Sequence, residues 1–263
     1  MTMNRRELLS IGVLTLLPQI RASAQAQAQP ADLVNLNNLI SDLVAGNHIL
    51  ATEGIVDGYG HISVRHPGNK NHFLLSRSVA PESVTVADIM EFDLDAVAVD
   101  PKGRTSYKER FIHSEIYRVR PDVNAVVHCH APSLIPFGVT KKPMRPMYHQ
   151  SAFLAAGVPV FEIRDAAGMT NMLVETAALG RALAKVLADK PVALMRGHGA
   201  VVVADTIPNV VGRSIYLDLN ARIQAQAIAL GGPIAEISPE EARKYAASDN
   251  YARAWELWKK KAK

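Results

Sequence analysis

Two histidines, His128 and His130, stand two residues apart at the end of an apolar run that begins at Ala125. On a β-strand alternate side chains share a face, so both imidazoles would point the same way, about 7 Å apart along the strand. Two ligands seldom hold a metal ion. A third candidate is His198, which follows another apolar run and is flanked by glycines that permit close approach to a bound group. Three histidines with an open position are typical of a catalytic metal site.

A carboxylate could join this site from the segment that precedes the histidine pair. The stretch 109–119 is predicted to be a helix, which ends before Pro121 because the residue preceding a proline disfavours the helical conformation. Glu109 or Glu115 could face the ion, either as a ligand or as a general acid/base. His113 would share the helical face of Glu109. Spacing alone does not choose between the two glutamates.

Helices and strands alternate along the chain, which indicates a layered α/β domain. Periodicity and turn residues predict strands at 62–66, 73–76, 89–92, 125–128, 159–163 and 192–194, and helices at 33–50, 109–119, 173–187, 208–230 and 239–258. The sequence contains no internal repeat and no convincing linker after residue 30. We therefore predict one domain over 33–263, in which 233–263 is a C-terminal helical extension.

The first residues have the features of an export signal. Arg5 and Arg6 precede an apolar core, 11–20, that is too short for a stable membrane anchor. Small residues at 22–24 would suit a signal peptidase, and the paired arginines resemble a twin-arginine leader. We predict a signal peptide over 1–24, a tether over 25–32, a periplasmic location and no stable membrane anchor after cleavage.

Composition excludes some functions. The 263 residues are 48% hydrophobic and 21% charged, as is ordinary for a globular protein, with a net charge of +4. The positive charges are dispersed apart from a lysine run at 259–261, and no base-stacking pattern accompanies them, so nucleic acid is not an expected partner. Cys129 is the only cysteine, which rules out an intramolecular disulfide.

Several motifs together resemble those of the class II aldolase/adducin family. They are GHISVR at 60–65, the helix that carries Glu109, RPDVNAVVHCH at 120–130 and GHG at 197–199. Family members include fuculose-phosphate aldolase and 3,4-dihydroxyphthalate decarboxylase. The resemblance implies a three-layer αβα sandwich with a central, mostly antiparallel sheet, assembled as a homotetramer. It implies one divalent metal ion per subunit, held by His128, His130 and His198, with Glu109 moving the proton. Adducin-like members lack the metal histidines.

Two loops depart from the sugar-phosphate aldolase pattern. In those enzymes the first loop reads Gly-Asn-x-Ser and the second Thr-Gly, whereas this chain has His61 in the first loop and Ser76-Arg77-Ser78 in the second. The Arg77 guanidinium could bind a carboxylate through two parallel hydrogen bonds. These changes resemble the decarboxylase-like branch of the family. Export also disfavours a phosphorylated metabolite as substrate.

The sequence therefore predicts a metal-dependent carbon-carbon lyase that decarboxylates a hydroxylated carboxylic acid, with aromatic acids among the candidate substrates. The expected acid/base groups are Glu109 and His113. The expected substrate-binding residues are His61, Ser76, Arg77, Ser78 and Tyr148. Zinc is the expected ion, and manganese, iron or cobalt would also suit nitrogen ligands. The alternatives are an aldolase or epimerase on an unphosphorylated substrate, an iron-dependent oxygenase and a non-catalytic adducin-like module.

Overall fold

A seven-stranded, mostly antiparallel sheet forms the centre of the molecule. The computed structural model describes residues 30–246 and 251–262. The strands lie in the order β3-β2-β1-β4-β7-β6-β5, and all neighbours are antiparallel except β5 and β6. They are β1 (His61–Arg65), β2 (His72–Ser76), β3 (Ile89–Asp93), β4 (Ala125–Cys129), β5 (Val160–Phe161), β6 (Val192–Met195) and β7 (Gly199–Ala204).

Helices cover both faces of this sheet. They are α1 (Pro30–Thr52), α2 (Arg110–Val119), α3 (Ile135–Val139), α4 (Ile163–Ala167), α5 (Ala177–Leu187), α6 (Ile207–Leu230), α7 (Pro239–Ala246) and α8 (Ala252–Lys261). Among the described residues, no helix is long and apolar enough to cross a membrane.

The side chains of each central strand divide between two hydrophobic cores. In β4, Val127 and Cys129 pack in the core beneath α1, α6 and α8, whereas Val126 packs in the core beneath α2 and α5. In β7, Val202 and Val203 divide in the same way. This alternation follows from the two-residue period of a strand. The predicted three-layer αβα sandwich is confirmed.

A tight turn between β6 and β7 brings His198 to the end of the neighbouring strand β4. Cys129 and Ala200 are partners in the ladder between β4 and β7. Gly199 lies so close to β4 that a Cβ there would be 2.0 Å from the carbonyl oxygen of Cys129. Gly197 adopts a φ of 62°, which favours glycine. The glycines around His198 are therefore required by the backbone as well as by the site.

Several predicted boundaries were wrong. Helix α1 begins at Pro30, inside the segment 25–32 that we assigned to a tether, and the predicted signal peptide lies outside the described residues. The strand predicted at 159–163 is shorter, because Ile163 already begins α4. The helix predicted from Leu173 begins only at Ala177, after its N-cap threonine.

The C-terminal extension forms two helices rather than the single predicted one. Residues 247–250 between them lie outside the described part of the chain. Tyr251, Trp255 and Trp258 are buried in the core that α1 and α6 also line. The Tyr251 ring packs on Gly212 of α6, where a Cβ would lie 2.4 Å from it. The extension thus packs on its own subunit.

Helices α2 and α5 approach each other closely at Gly180, and this contact fixes the helix that Glu109 precedes. A Cβ on Gly180 would lie 2.4 Å from the backbone oxygen of Phe111 and 2.9 Å from Cγ of Glu115. Gly180→Ala is expected to lower the free energy of unfolding by roughly 1–3 kcal/mol, as overpacking does, despite alanine's better helix propensity. Urea unfolding measures it, with Gly58→Ala, where nothing lies within 4 Å, as the control. If Gly180→Ala unfolded at the same urea concentration as the wild type, this close packing would be contradicted.

Candidate metal centre

Three imidazoles and one carboxylate converge at the end of β4. Each of Glu109, His128, His130 and His198 offers one ligand atom, and these atoms all lie within 4.8 Å of one another. The Nε2 atom of His130 is 2.9 Å from that of His128 and 3.1 Å from that of His198. Oε2 of Glu109 lies 3.3 Å from Nε2 of His128 and 3.5 Å from Nε2 of His198. The sequence-predicted ligand histidines are therefore brought together.

The outer nitrogens of two histidines explain why the inner ones fit a cation. Nδ1 of His128 is 3.1 Å from the carbonyl of Ala200, and Nδ1 of His198 is 3.1 Å from that of Met172. A carbonyl only accepts, so each Nδ1 carries the proton and each Nε2 presents a lone pair. A single proton on Nε2 of His130 could point at only one of these two lone pairs, whereas a divalent cation among the three nitrogens can accept from all of them. The donor set fits a metal with an open position for substrate.

The structure distinguishes the two candidate glutamates. Glu109 stands just before α2, and its Oε1 accepts a hydrogen bond of 2.9 Å from the Val174 backbone N–H, which aims Oε2 at the histidines. Glu115 is buried on another side of α2, where its carboxylate pairs with Arg118 and Arg181, each at 3.4 Å. The carboxylate that faces the metal centre is therefore that of Glu109.

Burial and neighbouring charge both act on these groups. Burial would raise the pKa of Glu109, but positive charge at His128 and His198 holds it well below its usual range, and a cation held by these two rings when they are neutral would act in the same direction. Burial, together with His128 and His198, lowers the pKa of His130 to about 4. At neutral pH the site therefore contains a carboxylate and a neutral His130 imidazole. This is the ionisation state in which both groups can act as metal ligands.

Two further histidines lie behind the centre. The ring of His61 lies 5.3 Å from that of His128, measured between centroids, and its Nδ1 is 2.6 Å from Nε2 of His113. His113 is fully buried and also contacts the hydroxyl of Ser63 at 2.6 Å. Burial lowers the pKa of His61 and lowers that of His113 to about 3, so both rings are neutral. His113 thus contacts His61 and does not line the cavity.

A cavity of about 610 Å³ opens on this centre. Its walls include His61, Glu109 and His130, and the others that line it are Gly58, Tyr59, Gly60, Ser78, Val79, Ala80, Tyr107, Lys108 and Leu173. Among these lining residues Lys108 is the only lysine or arginine. The cavity therefore combines aromatic and aliphatic walls with one permanent cation at one end of the metal centre.

The predicted substrate-binding residues fall in different places. Ser78 lines the cavity, and Ser76 is buried behind it with its hydroxyl 3.2 Å from that of Tyr107. Nε of Arg77 donates to Asp88 at 2.5 Å, and Arg77 is not among the lining residues. Tyr148 is also absent from the lining and packs on His149 and Tyr216. The structure thus brings His61 and Ser78 to the cavity, but not Arg77 or Tyr148 of this subunit.

Comparison with known proteins identifies the family. The sequence model of the class II aldolase and adducin N-terminal domain matches residues 41–225. The chain belongs to this family. Decarboxylase tropJ of Talaromyces stipitatus is 34% identical over 244 residues, which cover 83% of this chain and 92% of that protein. The 3,4-dihydroxyphthalate decarboxylase of Arthrobacter keyseri is 29% identical over 204 residues, which cover 72% of this chain and 78% of that enzyme.

A solved class II aldolase has the same fold. L-fuculose 1-phosphate aldolase from Glaciozyma antarctica superposes with a TM-score of 0.72 at 24% identity, covering 90% of this chain and 91% of that one. Class II aldolases use a divalent metal, and this chain keeps a donor set that suits one. The decarboxylases among its relatives support an enzyme of the lyase type.

Among the aromatic and charged residues that line the cavity of this class II aldolase domain, sequence reasoning missed Tyr59, Tyr107 and Lys108. Tyr107 and Lys108 immediately precede Glu109, so their adjacency to the proposed acid/base was a usable signal. Tyr59 immediately precedes the GHISVR motif, but its side chain is 73% exposed and an exposed loop tyrosine has no sequence signature. Chain proximity to two recognised motifs would thus have located most of the cavity wall.

Proposed function

We propose that this protein is a metal-dependent decarboxylase of a hydroxylated aromatic carboxylic acid. One observation carries the proposal. An intact set of three histidines and a carboxylate opens on a cavity that has aromatic walls and a single lysine. Decarboxylases among the similar proteins support the reaction type. The aromatic walls suit a flat ring, and the lysine suits a carboxylate.

His128, His130 and His198 would hold the ion, with Glu109 beside it. A divalent ion bound there would act as a Lewis acid toward substrate oxygens and stabilise the negative charge left when the carbon-carbon bond breaks. Zinc suits three imidazoles and an oxygen ligand, and other first-row ions suit them too. Tyr107 and Tyr59 would hold the ring and exclude water from one side of it.

Glu109 would move the proton. Its Oε2 faces the histidines at the open side of the centre, from where a carboxylate can take the proton of a substrate hydroxyl. The bond between the ring carbon and the carboxylate then breaks, carbon dioxide leaves, and the electron pair stays with the ring carbon. That carbon takes the proton from Oε2 of Glu109, and the hydroxyl regains a proton from water. The net reaction replaces a carboxylate with hydrogen and consumes one proton.

Lys108 would bind the substrate carboxylate. It is exposed at the cavity and has no ion pair among the described residues, whereas Arg77 is engaged by Asp88.

Lys108→Met is expected to raise KM roughly tenfold to 100-fold with little change in kcat, because it removes one charge-assisted hydrogen bond. Steady-state kinetics measure both constants. Lys108→Arg should keep most of the affinity, and Lys185→Met on the exposed face of α5 is the neutral control. An unchanged KM in Lys108→Met would exclude this role.

Elemental analysis combined with gas assays tests the whole proposal. The purified protein would be incubated with dihydroxybenzoates and dihydroxyphthalates while carbon dioxide release and oxygen uptake are followed. About one zinc or manganese per chain with carbon dioxide release is the expected result. Iron with oxygen uptake would indicate an oxygenase, and cleavage of a hydroxy-carbonyl substrate would indicate an aldolase. No metal and no turnover would indicate a binding module.

A further inference from the structure

A buried chain of side chains leads from the cavity into the protein. His61 contacts His113, which contacts the Ser63 hydroxyl, at 2.6 Å in each case. The Ser63 hydroxyl is 2.8 Å from the hydroxyl of Tyr117, which donates to the Asn124 carbonyl at 3.5 Å. Ser63, His113 and Tyr117 are at most 2% exposed, so these contacts are shielded from solvent.

Strand β1 and helix α2 hold the side chains of this buried series in place. His61 and Ser63 are alternate residues of β1 and share one face, while His113 and Tyr117 are four apart on α2 and share another. The two faces meet in the core between the sheet and α2. The register of β1 against β4 also pairs His61 with His128. These side chains thus lie on elements that adjoin the metal ligands, because β1 pairs with β4 and α2 directly follows Glu109.

The Asn124 end of this buried series of side chains sets the direction in which its hydrogen bonds run. The Asn124 carbonyl can only accept, so the arrangement in which every one of these contacts is a hydrogen bond has Tyr117 donating to that carbonyl and Ser63 donating to Tyr117. His113 then donates from Nδ1 to Ser63, and its Nε2 accepts from Nδ1 of His61. The tautomer of each ring follows from this network. His61 carries its proton on Nδ1, and its Nε2 presents a lone pair.

We propose that Ser63 and Tyr117 are positioning residues that, through His113, make Nε2 of His61 a fixed acceptor for a substrate hydroxyl. This inference rests on the proposed function and names the feature of the substrate that is selected. His61 lines the cavity beside Glu109 and His130, and its ring makes its one hydrogen bond within the described part of the chain through Nδ1, which leaves Nε2 without a partner there. A hydroxyl satisfies this acceptor, whereas a methyl ether cannot donate and leaves it unpaired.

Nitrogen-15 NMR of the metal-free protein tests the tautomers without any substrate. In the wild type both His61 and His113 are expected as Nδ1–H tautomers, with His61→Asn used to assign the signals. Ser63→Ala removes the acceptor of His113 Nδ1. A buried N–H without an acceptor is less tolerable than an unpaired lone pair, so both rings are expected to change to the Nε2–H form. Ser114→Ala is the matched control, because that buried hydroxyl has no partner within the described residues.

Calorimetric binding to the zinc-loaded protein tests the selectivity. The wild type is expected to bind 2,3-dihydroxybenzoate at least roughly tenfold more tightly than one of its monomethyl ethers, as one hydrogen bond allows. Ser63→Ala should lose this preference, since Nε2–H of His61 can then donate to an ether oxygen, while Ser114→Ala should keep it. Equal preference in wild type and Ser63→Ala, or an Nε2–H tautomer of His61 in the wild type, overturns the inference. Intact tautomers and selectivity without carbon dioxide release contradict only the proposed reaction.

Discussion

Replacing His130 with alanine is expected to abolish metal binding and turnover together. Nε2 of His130 lies within 3.1 Å of both other imidazole nitrogens, so it stands at the centre of the donor set. Loss of a partner that only orients a ligand typically costs 10-fold to 100-fold in metal affinity. Loss of the ligand itself should therefore cost at least about 100-fold. Elemental analysis after dialysis and the carbon dioxide assay measure the two effects.

His72→Ala is the matched control for this variant. His72 lies on β2, away from the cavity, and pairs with Glu91 at 2.5 Å. The His72→Ala protein should keep its metal and its turnover, because this substitution removes an imidazole that is not part of the donor set. A His130→Ala protein that retains one ion per chain would show that the ion binds elsewhere. One that loses the ion but still releases carbon dioxide would show that the reaction needs no metal.

The part of the site that could be predicted from the sequence depends on short-range rules. His128 and His130 share a face because strand side chains alternate, and the burial of β4 on both sides made its strand character readable. His198 was a candidate because glycines surround it, and these glycines permit the tight turn from β6 to β7. The αβα sandwich was predicted because the motifs, in their order along the sequence, resemble those of the class II aldolase/adducin family.

What the sequence could not show depends on long-range packing. The choice between Glu109 and Glu115 needed the orientation of α2, which is set by its contact with Gly180 of α5 and by the Val174 N–H. Strand β7 was missed because its sequence, GAVVVA at 199–204, has no alternation of polar and apolar residues. That is expected for a strand that is buried on both faces. The pairing of Arg77 with Asp88 is likewise invisible along the chain.

Two further predictions concern the assembly and the location of the protein. The predicted homotetramer stays a prediction, as does export by the leader at 1–24, which lies outside the described residues. Assembly bears on the site, because a neighbouring subunit would add residues to a cavity that one chain leaves open. Tyr148, which does not line the cavity of its own subunit, could be tested in that setting by crosslinking. Size-exclusion chromatography with light scattering measures the assembly directly.

Glu109→Gln is expected to lower turnover by a factor on the order of 10² to 10⁴ while the protein keeps its metal. The amide oxygen of glutamine can still accept from the Val174 N–H, so the side chain should stay where Glu109 stands. Its NH2 group then faces His128 and His198, where it can neither take nor give the proton that the carboxylate moves. Three histidines remain to hold the ion. Rapid-quench kinetics and elemental analysis separate the two properties.

Glu115→Gln provides the comparison that gives this result its meaning. Glu115 is a buried glutamate on the same helix, and it pairs with Arg118 and Arg181 rather than with the metal centre. Its replacement should lower thermal stability but leave turnover per folded molecule nearly unchanged. Full activity in Glu109→Gln would remove Glu109 from the proton transfer and leave His61 as the remaining base at the cavity. Loss of metal in Glu109→Gln would instead make the carboxylate a required ligand, because only the charge on one side chain has changed.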